Sequence, residues 1–177
     1  MKIEIMGLGM DFQFEISKRL SREHQDVTAL LARLENFMRS CGIDNQPDWQ
    51  GPETRWILSD LKGVLSTEVP NHFAIEEQEL FPIYALEGGA DMVELLLADH
   101  RVILDLIDEI KPLLEKAVSS PDDLSQTEWK IFRAKCTVFV TELGSHAEKE
   151  EFGFVPAVDE LMDPPTAKRI FDRYLRM

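Results

Sequence analysis

Two eleven-residue stretches of the chain carry one spacing. His72-Phe-Ala-Ile-Glu76-Glu77-Gln-Glu79-Leu-Phe-Pro82 and His146-Ala-Glu-Lys-Glu150-Glu151-Phe-Gly-Phe-Val-Pro156 both read H-x-x-x-E-E-x-x-x-x-P without a gap. On a helix, residues four apart lie one above the other on the same face. Each stretch therefore aims an imidazole nitrogen and a carboxylate oxygen at one point. The chain has only two other histidines, His24 and His100. The pattern predicts that all four histidines, with Glu76 and Glu150, hold a pair of metal ions inside a helical bundle.

Apolar periodicity supplies the bundle. A first helix is predicted from about Glu15 to Arg39, with the stripe Leu20, His24, Val27, Leu31, Leu34, Met38 in steps of four and three. The Gly, Pro and Asn content between Cys41 and Pro52 predicts a loop. The second helix starts near Pro52, a residue tolerated in a first turn. Its stripe is Ile57, Leu61, Leu65, Glu68, His72, Glu76, Leu80, and Pro70 is expected to bend it just before His72. Gly88 and Gly89 break the chain after Tyr84 to Glu87. The third helix, about Ala90 to Ala117, carries Met92, Leu96, His100, Ile103, Ile107, Ile110 and Leu114 on one face. The fourth, about Ser125 to Phe152, carries Phe132, Cys136, Phe139, Leu143, His146 and Glu150, and Gly153 and Pro156 are expected to close it. Thr166 to Arg176 reads as a short cap helix with Ile170, Phe171 and Tyr174 inward, and residues 1–15 as an arm across the bundle.

These elements define an all-α fold: an antiparallel up-down four-helix bundle with a short C-terminal cap helix. It is expected to be one domain over residues 1–177, with the bundle core about 16–156, the arm 1–15 and the cap 157–177. The halves repeat. His24 to His100 is a shift of 76 residues and His72 to His146 a shift of 74, so the site inherits an approximate two-fold axis.

The net charge of −14 argues against nucleic acid and anionic membrane surfaces as partners, since both repel it. No apolar run approaches the roughly 20 residues of a membrane span, and the N-terminal stretch lacks the basic start and long apolar core of a signal peptide. A soluble cytoplasmic protein is the expectation. Two cysteines, Cys41 and Cys136, are too few for a disulfide scaffold. Cys136 falls on the apolar stripe about 15 Å along the helix from His146, where a buried free thiol is expected rather than a ligand.

A lone histidine on an apolar stripe is ordinarily a core histidine with a hydrogen bond. Four together are another matter. If the inward stripe takes three of seven positions, four independent histidines all land on it about 3% of the time. Buried carboxylates are costly unless paired or metal-bound, so Glu76 and Glu150 on inward faces call for a cation. Imidazole with carboxylate suits iron, manganese or zinc. Six ligands are too many for one tetrahedral zinc; they suit two ions, each held by two histidines and bridged by both glutamates, with an oxide or hydroxide offsetting the remaining charge. Glu68 and Glu142, four residues before His72 and His146, are candidates for orienting the rings from outside. Glu77, Glu79 and Glu151 lie off the stripe, and Glu23 and Asp99 point about 100° from it; all five are expected at the surface.

At these residues the chain resembles the hemerythrin-like family, the HHE cation-binding domain, over about Ser21 to Pro156. The resemblance rests on Arg22-Glu-His24, His72-Phe-x-x-Glu76-Glu77-x-x-Leu-Phe-Pro82, Ala98-Asp-His100 and His146-x-x-x-Glu150-Glu151. It implies a non-haem di-iron centre, oxo- or hydroxo-bridged, held by His24, His72, Glu76, His100, His146 and Glu150. Two positions depart from the family's oxygen carriers: Leu104 stands where they place another histidine, and Glu150 lies four residues after His146 where they place Asp at five. The four-His, two-Glu set is instead similar to that of bacterial iron-centre repair proteins of the nitrosative-stress type, whose cysteine-bearing N-terminal domain has no counterpart in residues 1–20.

Three functions follow as expectations. The first is a binding protein that takes a small diatomic ligand, oxygen or nitric oxide, or iron itself, for sensing, storage or scavenging. The second is a di-iron enzyme acting on peroxide or nitric oxide, or a repair protein. The third is an interaction protein whose metals are structural. No Ser-His-Asp or Cys-His arrangement competes, because every histidine is committed to the metal pattern, and Gly7-Leu-Gly9 lacks the third glycine of a phosphate loop.

Overall fold

The computed structural model describes residues 11–42, 45–121 and 124–177. Helices make up nearly all of it, and there is no strand among the described residues. Helix α1 is Glu15–Cys41. Helix α2 spans 52–84 and is built from Pro52–Gly63, Val69–Ile75 and Phe81–Tyr84 joined by two wide turns. Helix α3 is Ala90–Ser119. Helix α4 spans 126–161, and α5 is Pro164–Tyr174. The arm expected over residues 1–15 lies mostly outside the described residues. In its described part, Phe12 is buried and the amides of Gln13 and Phe14 donate to the Asp159 carboxylate of α4 at 2.8 and 3.1 Å.

The start and stop signals act locally. Ser125 caps α4 by accepting from the Glu128 amide, and the Glu128 side chain accepts from the Ser125 amide in return. Asp163 accepts from the Thr166 amide at 2.9 Å, with Pro164 in the first turn of α5. Between α2 and α3 the chain reverses at Gly88, whose φ of +99° is a conformation that favours glycine.

Three of the prolines are preceded by a widened turn. Pro70 produces no break: the helix widens ahead of it into a π-turn, Val64–Glu68, closed by the Val69 amide on the Val64 carbonyl. The same device recurs at Glu76–Leu80, where Phe81 N–H bonds Glu76 C=O before Pro82, and at Glu150–Phe154, where Val155 N–H bonds Glu150 C=O before Pro156. A proline lacks the N–H for an α-helical bond and its ring crowds the carbonyl four residues back. Closing the preceding turn one residue wider accommodates both defects without ending the helix. For that reason α4 does not close at Gly153 and Pro156 as expected but continues to Leu161.

The core is divided. One apolar cluster gathers Leu31, Leu34, Leu61, Leu65, Phe73, Ile103, Ile107, Phe132, Cys136, Phe139 and Leu143, among others. A second gathers Ile16, Leu20, Ile75, Leu80, Phe81, Leu96, Phe154, Val155, Val158 and Ile170. Between them along every long helix sit the polar residues His24, His72, Glu76, His100, His146 and Glu150, all buried. Helix α1 passes from the second cluster to the first, α2 from the first to the second, α3 from the second to the first, and α4 back again. The Met38 carbonyl accepts from Arg133 Nε at 3.0 Å, tying the end of α1 to the start of α4. Cys136 is buried and free in the first cluster, where desolvation pushes its thiol pKa up.

Candidate metal centre

Each of the four long helices carries one histidine into the layer between the two clusters, and α2 and α4 each add a glutamate four residues on. The ring nitrogens facing inward are all Nε2. Those of His24 and His72 lie 3.1 Å apart. Glu76 straddles the layer: its Oε1 is 3.1 Å from His72 Nε2 and its Oε2 is 3.6 Å from His100 Nε2. Glu150 does the same. Its Oε2 lies 3.2 Å from both His24 and His146 Nε2, and its Oε1 3.7 Å from His100 Nε2. Two overlapping groups result, one of His24, His72, Glu76 and Glu150, the other of Glu76, His100, His146 and Glu150, and each can hold a metal ion.

The outer edges of the rings explain why Nε2 faces in. His24 Nδ1 lies 3.0 Å from Glu151, His72 Nδ1 2.9 Å from Glu23, and His100 Nδ1 2.8 Å from Glu77. An ionised carboxylate only accepts. Each Nδ1 therefore carries the proton and donates it, which leaves the Nε2 lone pair pointing at the centre. Asp99 stands 3.5 Å from His146 Nδ1 and is itself held by Lys149 at 2.7 Å. Three acids hydrogen-bond the ring of a neighbouring helix: Glu23 of α1 that of α2, Glu77 of α2 that of α3, and Glu151 of α4 that of α1. Asp99 of α3 only faces the ring of α4, and His146 Nδ1 has no hydrogen-bond partner among the described residues.

All four acids were expected at the surface; Glu77 is exposed as expected, while Glu23, Asp99 and Glu151 are half-buried, which is a correction. None of the four needs to sit on its own helix's inward stripe, because Glu23, Glu77 and Glu151 each serve the ring of a neighbouring helix and Asp99 bonds Lys149 of α4. Glu68 and Glu142, the candidates for this role, make no hydrogen bond to a histidine among the described residues. Glu68 is exposed, near the edge of a cavity beside His72. The signal that finds the right four was present: each is an acid directly next to an inward-facing residue, as Glu23-His24, Glu76-Glu77, Asp99-His100 and Glu150-Glu151.

Aromatic rings fix the remaining freedom. Phe73 stacks on His100 with centroids 3.6 Å apart and planes 6° from parallel, and meets His146 edge-on at 5.1 Å.

The electrostatics favour positive charge at the centre. Burial pulls the imidazole of His72 down, but Glu76, Glu150 and Glu23 together raise it well above its ordinary value. His24 and His100 are likewise raised against burial, by Glu150 with Glu151 in one case and Glu150, Glu76 and Glu77 in the other. Burial pushes the Glu150 carboxyl up, yet the four histidines gathered around it bring it well below the usual carboxylate range.

A test of fit needs no ion. Both oxygens of Glu76 and of Glu150, with Nε2 of His100 and His146, are buried and have no hydrogen-bond partner among the described residues. Lone pairs left facing one another in an apolar interior are strongly unfavourable unless a cation lies between them. Metal–nitrogen bonds of about 2.0–2.1 Å put neighbouring ligand atoms roughly 3 Å apart, which is the spacing found for the His24 and His72 nitrogens.

Fold and site together define a helical protein with a buried imidazole–carboxylate centre able to take metal ions. The hemerythrin HHE cation binding domain matches residues 15–158, and the chain belongs to that family. No curated protein matches the chain at a significant level. No helix among the described residues is long and apolar enough to cross a membrane.

Proposed function

We propose that the protein is a non-haem di-iron binding protein for a small diatomic ligand, oxygen or nitric oxide. His24 and His72 would hold one ion, His100 and His146 the other, and Glu76 and Glu150 would bridge them. The observation that carries this reading is the set of buried, unpartnered oxygens of Glu76 and Glu150 facing the inward histidine nitrogens. Iron bound there would supply open coordination positions and one-electron chemistry. The bundle course that supports the site is alternately up and down, since the order in which each helix meets the two apolar clusters reverses from one helix to the next.

The choice of a small ligand rests on the cavity beside the centre. It has a volume of about 30 Å³ and reaches His24, His72, His146 and Glu150. Its other walls include Val27, Val69, Phe73, Leu143 and Ala147. A water needs roughly 10–15 Å³ of such space, so the cavity has room for a diatomic molecule. Glu23 and Glu68 complete its lining.

The test is iron content and near-ultraviolet absorption of protein purified with iron present. Two irons per chain are expected, with His72→Ala and His146→Ala each losing metal and Glu142→Ala keeping it. A wild-type protein free of metal after iron supplementation, or equal metal in all three variants, refutes the site. Titration with oxygen and nitric oxide then separates reversible binding from consumption.

A further inference from the structure

Of the four acids around the centre, one is gripped from outside the family-matched region. Tyr174, on α5 and beyond residue 158, donates its hydroxyl to Glu23 Oε2 at 2.6 Å. That is the same oxygen that accepts from His72 Nδ1. The other three acids lack such a grip. Glu77 makes no second hydrogen bond among the described residues, Glu151 has Ser21 at 2.6 Å, and Asp99 has Lys149. Helix α5 is itself firmly docked. Ala167 and Ile170 are buried in the second apolar cluster, Arg169 bonds Glu79 at 2.9 Å, and Arg173 bonds Glu79 and Gln78.

We infer that Tyr174 is a positioning residue for one of the two metal positions. Resting on the di-metal reading above, it holds Glu23 against His72, so that the C-terminal helix sets the metal affinity of the His24–His72 half while leaving the His100–His146 half untouched. The geometry supports a selective effect. The remaining partner of Glu23 is Arg19, half-exposed, on the other oxygen. Without the phenol, the carboxylate swings toward Arg19 and solvent, and the His72 ring loses its fixed direction. The tyrosine thus makes two ligand pairs that are alike in sequence unlike in strength.

The experiment is an anaerobic titration of metal-free full-length protein with Fe(II), resolving two binding steps. Outer partners of metal-bound histidines typically contribute 10–100-fold in affinity. Glu23→Gln is expected to weaken one step in that range, and Tyr174→Phe to weaken the same step by about 10-fold, with the other step at its wild-type value. Thermal unfolding of the metal-free proteins is measured alongside. Two unchanged steps in Tyr174→Phe, with two ions bound by wild type, overturn the inference and leave the di-metal reading standing. Equal weakening of both steps with a matching loss of metal-free stability also overturns it, since the tyrosine is then only structural. Absence of metal binding by the wild type removes the di-metal reading itself, and the inference with it.

Discussion

Removing Glu151 tests whether the outer acids direct the rings or merely lie near them. Its side chain is 18% exposed, accepts from His24 Nδ1 at 3.0 Å and from Ser21 Oγ at 2.6 Å. Glu77 is the natural comparison: 40% exposed, with the single bond to His100 at 2.8 Å. Hydrogen bonds to charged groups contribute roughly 1.5–3 kcal/mol, less where solvent screens them. In Glu151→Ala the His24 ring is free to rotate and its Nε2 lone pair becomes less basic. Metal affinity should fall about 10–100-fold, or roughly 1.4–2.7 kcal/mol at 1.36 per tenfold. Glu77→Ala should fall about 10-fold or less, because water can replace its carboxylate. Competition with a chelating indicator under anaerobic conditions measures both. A Glu77→Ala loss equal to or larger than that of Glu151→Ala, or wild-type affinity in both, refutes the directing role.

Phe132→Ala should cost about 3–5 kcal/mol in urea unfolding, since Phe132 is wholly buried in the first cluster; a cost below about 1 kcal/mol would show that cluster to be loosely packed. The Glu128 carboxyl is lowered to about 2 by Lys116, then by the Ser125 side chain and amide. Because its folded pKa is depressed, its contribution is complete above the ordinary carboxylate range and is lost as pH falls from there toward about 2. Carboxyl-carbon NMR should therefore show no Glu128 step between pH 6 and 3.5, and a step near the ordinary value contradicts the cap.

Much of this arrangement is legible in the sequence because it depends on local periodicity. The stripes through Leu20 and His24, Leu96 and His100, and Leu143 and His146 mark the helices and bring six polar residues to one depth. What escapes is of two kinds. Pro156, with the π-turn ahead of it, looks like a helix end, because a proline rule based on α-helical bonds does not foresee a turn closed one residue wider. Glu23, Asp99 and Glu151 look exposed, because a helical wheel describes one helix at a time. Glu23 and Asp99 lie off their own stripes and find their partners on α2 and α4. That relation depends on which helices are neighbours, a fact of tertiary packing.

The outer acids alter what would have to be moved to rebuild such a centre elsewhere. Copying six inward residues onto another bundle would carry over the candidate ligand atoms without the acids that set the ring protons of His24, His72 and His100. The transferable unit is four dipeptides, Glu23-His24, Glu76-Glu77, Asp99-His100 and Glu150-Glu151, together with His72 and His146. Each dipeptide has meaning only beside the next helix in cyclic order, so a recipient scaffold must match the order of neighbours around the bundle as well as the depth of the layer. A bundle with the same helices threaded in the opposite rotational sense would receive every residue and orient none of the rings.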